Sequence, residues 1–147
     1  MGKKVKVINN IHSIVGFYLN PLPESFRVLP RQGAFLSVEE EELDYIHINQ
    51  SIIQKGIIWI DDKDVRIKFG LETPEGEKAN ANVLQYTEIL ELVGGHHKRL
   101  EKIINGISED AIVQQFVEAA RELEIDSVTK IDIIEKKAKT KIRQEAE

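Results

Sequence analysis

The stretch RVLPRQGAFLSVEEEELDYI, residues 27–46, changes character in its middle. Up to Leu36 it alternates apolar residues with a proline–glycine turn, the pattern of short strands. From Ser37 onward it reads Ser-Val-Glu-Glu-Glu-Glu-Leu. A serine followed three residues later by glutamate is a capping box, in which each side chain closes an orphan N–H of the other. Ser37 is therefore the expected N-cap, with Glu40 as its reciprocal partner. Glu39 to Glu42 fall in the first turns, where the positive end of the helix dipole favours anions. Successive helical residues point about 100° apart, so four in a row cannot face one substrate. The four glutamates mark a helix start rather than acid–base or metal chemistry. Leu43 and Ile46 are the expected core positions of that helix.

Working outward towards the N-terminus, Lys4-Val5-Lys6-Val7 has the period of a half-buried strand. Asn9 and Asn10 suit a turn. Ile14 to Leu19 is β-branched and aromatic and reads as a second strand, stopped by Asn20-Pro21-Leu22-Pro23. Phe26 to Leu29 is a third strand, Pro30 to Gly33 a turn, and Ala34 to Leu36 a fourth strand. Working towards the C-terminus, Gly56 can end a short helix. Ile57 to Ile60 is apolar on both faces and reads as a covered strand. Trp59 within it is a core anchor in preference to a stacking platform. Asp61-Asp62 can cap a short helix through Val65 and Phe69, ended by Gly70.

These stretches carry a resemblance. Val5-Lys6-Val7-Ile8-Asn9, Ile14-Val15-Gly16-Phe17, Val28-Leu29-Pro30, Leu36 to Leu43 and Ile57-Ile58-Trp59-Ile60-Asp61 resemble the motifs of a family of small proteins encoded among the virion structural genes of tailed bacteriophages, crAss-like phages included. The resemblance covers the first half closely and the second half loosely. The family favours glycine directly after the turn proline, whereas this chain has Arg31 there and delays its glycine to Gly33. What the resemblance implies is a virion component, an auxiliary protein bound to the capsid shell.

Thr73 to Asn82 is polar and short of bulky apolar groups, which reads as a linker. Beyond it the apolar period changes to about 3.6. Val83, Tyr86, Leu90 and Val93 fit one helix, ended by Gly94-Gly95. Leu100, Ile103, Ile104 and Ile107 fit a second. Ser108-Glu109-Asp110 opens a third, with Ile112, Phe116, Ala119, Ala120 and Leu123 inward. Asp126-Ser127 opens a fourth, with Val128, Ile131, Ile134 and Ala138 inward. Short connections imply a compact bundle. The expected class is α+β. An antiparallel sheet or partial barrel with short helices occupies residues 1–70, a linker 71–82, and a helical bundle 83–147.

Composition bounds the function. The chain has 147 residues, 41% hydrophobic and 31% charged, the profile of a globular protein able to bury a core without disulfides. It has no cysteine, which excludes thiolate metal sites and cysteine nucleophiles. A net charge of −5 weighs against a dedicated nucleic-acid binder. MGKKVKVINN has no apolar h-region and is not expected to be a signal peptide. No apolar run reaches the roughly 20 residues that cross a bilayer. No nucleophile elbow, Walker A loop or dinucleotide fingerprint is present. His96-His97 invites a metal reading, but adjacent helical residues diverge and zinc needs three or four converging ligands. Asp61, Asp62 and Asp64 are only a fragment of a calcium loop. The run Lys136 to Arg143 is basic but has no aromatic residue for base stacking.

No catalytic, cofactor-binding or metal residue is therefore expected, and no enzyme activity. The expected partners are the major capsid protein or other virion proteins, contacted in multiple copies. The expected location is the virion, assembled in the host cytoplasm. The alternative is an intracellular phage or bacterial regulator that contacts nucleic acid through its basic C-terminal helix.

Overall fold

The computed structural model describes residues 3–140 and residue 142. The chain divides into two compact units, Met1–Val83 and Leu84–Glu147.

The first unit holds all five strands. β1 (Lys4–Asn9) lies between β4 (Phe35–Glu39) and β5 (Ile58–Ile60) in an antiparallel three-stranded sheet. β2 (Val15–Tyr18) and β3 (Phe26–Leu29) make a separate two-stranded antiparallel sheet. Two small sheets thus take the place of a partial barrel. They share one core, in which Val5, Val7 and Val38 from the first sheet meet Phe17 and Leu29 from the second. Helix α1 (Glu40–Asn49) adds Leu43 and Ile46 to it, and helix α2 (Lys63–Lys68) adds Val65. β5 is buried at all three residues, as its apolar run demands. Asn9 and Asn10 do not merely turn the chain. Both are buried: Asn9 Nδ2 donates to the carbonyls of Ser13 at 2.7 Å and Leu29 at 3.1 Å, and Asn10 Nδ2 to that of Gly56 at 3.1 Å.

Three expectations need correction in this unit. Ser37 does not cap α1. It pairs with Lys6 inside the β1–β4 ladder, which runs on to Lys4 opposite Glu39 and buries Val38. The cap moves two residues on: Glu39 is the N-cap, and its N–H donates to the Glu42 carboxylate at 2.8 Å. Ladder pairing and the burial of Val38 outweigh a cap worth about 1 kcal/mol. Residues 51–56 form turns instead of a short helix, with Gly56 at φ 76°.

The third correction concerns the stretch read as a linker. It folds back on the first unit. Leu71 and Val83 are in the core, Glu72 is buried, Ala79 N–H donates to Leu71 at 3.0 Å, and Asn80 Nδ2 donates to Gln54 at 2.9 Å. Its polar middle, residues 74–79, is exposed, but the ends of the stretch are anchored to the first unit.

The second unit is four helices among the described residues: α3 (Tyr86–Gly94), α4 (His97–Asn105), α5 (Asp110–Glu122) and α6 (Val128–Ala138). α5 packs on α3 and α6, and α4 on α3 and α6. The core face of α3 is Ile89, Leu92 and Val93, with the helix starting only at Tyr86 after Val83 and Leu84. Leu123 and Val128, expected inward, are 43% and 71% exposed. Leu123 follows the last residue of α5, where Glu124 takes φ 50° and turns the chain away. Val128 is the first residue of α6, whose buried position is Ile134.

Candidate functional site

The β2–β3 hairpin has two apolar faces, and only one of them is used by the core. The register pairs Val15 with Leu29, Gly16 with Val28, Phe17 with Arg27 and Tyr18 with Phe26. Alternation sends Val15, Phe17 and Leu29 inward, where all three are buried. It sends Tyr18, Phe26 and Val28 outward, with Ile14 two residues before Gly16 on the same side. These four are exposed at 43, 45, 44 and 64%. None of the four carries a charge, in a chain whose residues are 31% charged.

The outer face is built, not loose. Tyr18 and Phe26 rings stand 4.9 Å apart at 56°, a tilted aromatic pair. Gly16 makes room for it, because a Cβ there would stand 2.5 Å from Phe26 Cζ. The connection is equally fixed. Buried Ser25 lies 2.8 Å from the Asn20 carbonyl and 2.7 Å from that of Leu22 through its Oγ, and Leu22 N–H donates to Asn20 Oδ1 at 2.9 Å.

Both edges of the hairpin are closed at the aromatic pair. Gln50, just after α1, sets its side-chain amide against β2. Its Oε1 accepts from Tyr18 N–H at 2.9 Å, and its Nε2 donates to the Tyr18 carbonyl at 2.8 Å. That amide stands where a neighbouring strand's backbone would. On β3, Arg27 Nη1 donates to the carbonyls of Phe26 and Glu24, both at 3.0 Å. Covered edges of this kind guard a sheet against adding foreign strands.

The residues singled out from sequence lie elsewhere and have other work. Glu39 caps α1 and Glu40 to Glu42 form its first turn. Trp59 is buried in β5, with the Arg66 guanidinium 4.7 Å and Lys78 Nζ 4.9 Å from its ring. Arg66 also pairs with buried Glu72 at 3.1 Å and donates to the Ile60 carbonyl at 2.8 Å. Asp62 caps α2 through Val65 N–H at 3.1 Å and pairs with Lys3, whose ammonium holds the Asp62 carboxyl below its ordinary range.

His96 is the N-cap of α4, accepting from Lys98 N–H at 3.2 Å, and its ring stacks on His97 at 4.5 Å. His47 stacks on Phe69 at 4.3 Å and contacts Gln54. Among the described residues no group of three or more His, Asp or Glu side chains is arranged to hold a metal ion.

In the second unit a half-open cavity of about 420 Å³ lies beside the end of α6. Lys136, Lys137 and Lys139 line it, but so do Glu101 and Asp110, which repel a phosphate. Lys137 Nζ also donates to the Asn105 carbonyl at 3.4 Å. Lys141 and Arg143 of the basic run lie outside the described residues. At the other end of α5, Tyr86 donates to Glu122 at 2.6 Å, and burial together with that carboxylate raises its phenol.

The outer hairpin face was not singled out from sequence, although a signal was there. Ile14 to Leu19 contains no charged residue, and bulky apolar or aromatic side chains stand at both its odd and its even positions. A strand apolar on both faces needs two partners, and the fold supplies one. No family model, curated protein or solved structure matches the chain.

Proposed function

We propose that this chain is a non-enzymatic structural protein of a bacteriophage particle. In this reading it is an auxiliary subunit bound in multiple copies to the capsid shell or another virion protein, and assembled there in the host cytoplasm. The observation that carries the binding role is the preformed, uncharged outer face of the β2–β3 hairpin. Its four exposed side chains form one apolar face of the kind that is often functional on a monomer. The phage setting is supported by the resemblance carried by the strand and helix-start motifs between Val5 and Asp61.

Nucleic-acid binding through the end of α6 is less favoured, because carboxylates share the surface with the lysines there. Mass spectrometry of purified particles of the encoding phage tests the proposal. A copy number in fixed ratio to the major capsid protein is the expected result, and absence from particles would end it.

A further inference from the structure

We infer that the helical unit carries a slot that reads a short basic peptide with one branched apolar residue, and that Ile142 of the chain itself fills the slot in the free protein. The inference goes beyond the virion reading and does not rest on it. Three observations carry it.

The first is the way Ile142 is held. Lys139 ends α6 with φ 56°, and its N–H donates to the Glu135 carbonyl at 2.8 Å. Three residues later Ile142 is 5% exposed. Its N–H donates to the Glu135 carboxylate at 2.8 Å, and its carbonyl accepts from Arg121 Nε at 3.0 Å. Both main-chain groups of one residue are thus held by side chains of two helices, α5 and α6. Main-chain bonds give affinity for any extended segment, and the pocket beneath gives the preference among side chains. Here that preference is apolar, since a polar side chain would be buried unpaired.

The second is the construction of the slot. Arg121 is fixed by Glu118, one turn earlier on α5, at 3.2 Å. Beyond α5, Glu124 takes φ 50° and Ile125 N–H returns to the Ala120 carbonyl at 3.2 Å. A half-open cavity of about 270 Å³ continues beside the isoleucine, lined by Ala120, Arg121, Glu124, Ile125 and Ile142. The slot is built from residues whose positions are set by the helices and not by Ile142.

The third is charge. Glu118, Glu124 and Glu135 belong to the slot and its support, while Lys139, Lys141 and Arg143 flank Ile142 in sequence. Acidic surroundings favour a basic segment, and the chain's own end is one. A ligand tethered by so short a link competes at an effective concentration of roughly millimolar. Another peptide therefore enters only while Ile142 is out, an opening of the kind that chain ends undergo without global unfolding.

Amide resonances of Ala120, Arg121 and Ile125 report the slot. In the full chain carrying Ile142→Ser, a blocked peptide of residues 139–144 should shift them saturably, and the same peptide carrying Ile142→Ser should not. The unaltered chain should bind the first peptide roughly tenfold or more weakly, because its slot is already filled. No saturable shift in the folded variant, equal binding of the two peptides, or equal affinity of variant and unaltered chain would each overturn the inference. Hydrogen exchange of the unaltered chain decides the matter if the variant does not fold. The Ile142 amide should exchange at least roughly tenfold faster than that of Phe116 in α5. Equal rates would mean that Ile142 leaves only on global unfolding, and a slot that never opens reads nothing.

Discussion

Ser37 and Glu39 differ by two positions and by everything that decides a cap. The serine–glutamate spacing is a genuine capping pattern, yet Ser37 sits in β4 opposite Lys6 while Glu39 and Glu42 do the capping. A run of four glutamates offers several equivalent registers for a helix start, and only the β1 partner chooses between them. Ser37→Ala should therefore change stability by less than about 0.5 kcal/mol, as for an ordinary surface site. Glu42→Ala should cost about 0.5–1 kcal/mol, since it leaves Glu39 N–H without its carboxylate. Urea melts of the two variants check the order; a larger loss from serine would restore the earlier cap.

Asp62 was legible as a cap, but its ion pair with Lys3 was not, because the two are far apart in sequence. The carboxyl is lowered chiefly by the Lys3 hydrogen bond, from an ordinary value of 3.8. A lowered folded-state value means the pair stabilises the protein above pH 3.8 and ceases to do so as pH falls through the lower folded value. Asp62→Asn keeps a good N-cap while removing the charge. The variant should be the less stable near pH 7, and the gap should narrow below about pH 4. A gap that does not change with pH would mean that the charge of Asp62 contributes nothing.

At the scale of elements, periodicity placed most strands and helices and misjudged which faces are covered. β2 and β3 were legible because Ile14 to Leu19 and Phe26 to Leu29 are bounded by proline and asparagine. What periodicity could not supply was the partner of the second face, since exposure of Tyr18, Phe26 and Val28 depends on where the other sheet lies. The same limit misplaced Leu123 and Val128, each at a helix end where the chain direction changes. Gln50 gave no sequence signal at all; its two bonds to Tyr18 span 32 residues. Gln50→Ala should cost about 1 kcal/mol for the lost pair of neutral hydrogen bonds. It should also open the β2 edge, so that the Tyr18 amide exchanges with solvent faster. An unchanged exchange rate would show that the edge is closed by something other than Gln50.

For the chain as a whole, the α+β order and the presence of two units follow from the change of period, but the boundary does not. Polar composition marked 71–82 as a linker, whereas the first unit extends to Val83. Composition is a poor guide where a few residues carry the burial: Leu71 and Val83 are 3% and 2% exposed, and Glu72 at 8% is the partner of Arg66. Fragments decide between the two boundaries. A chain ending at residue 70 loses two core side chains worth about 1.5–3 kcal/mol each. It also leaves the part-buried Arg66 without its carboxylate, and a hydrogen bond to a charged group is worth about 1.5–3 kcal/mol. Together these losses are comparable with the roughly 5–15 kcal/mol that holds a domain folded. A chain ending at residue 83 keeps all three groups. The longer fragment should therefore give a cooperative urea transition and dispersed amide resonances, and the shorter one neither. If residues 1–70 fold as well as residues 1–83, then Leu71, Glu72 and Val83 are passengers on a core complete without them, and the unit ends where composition first placed it.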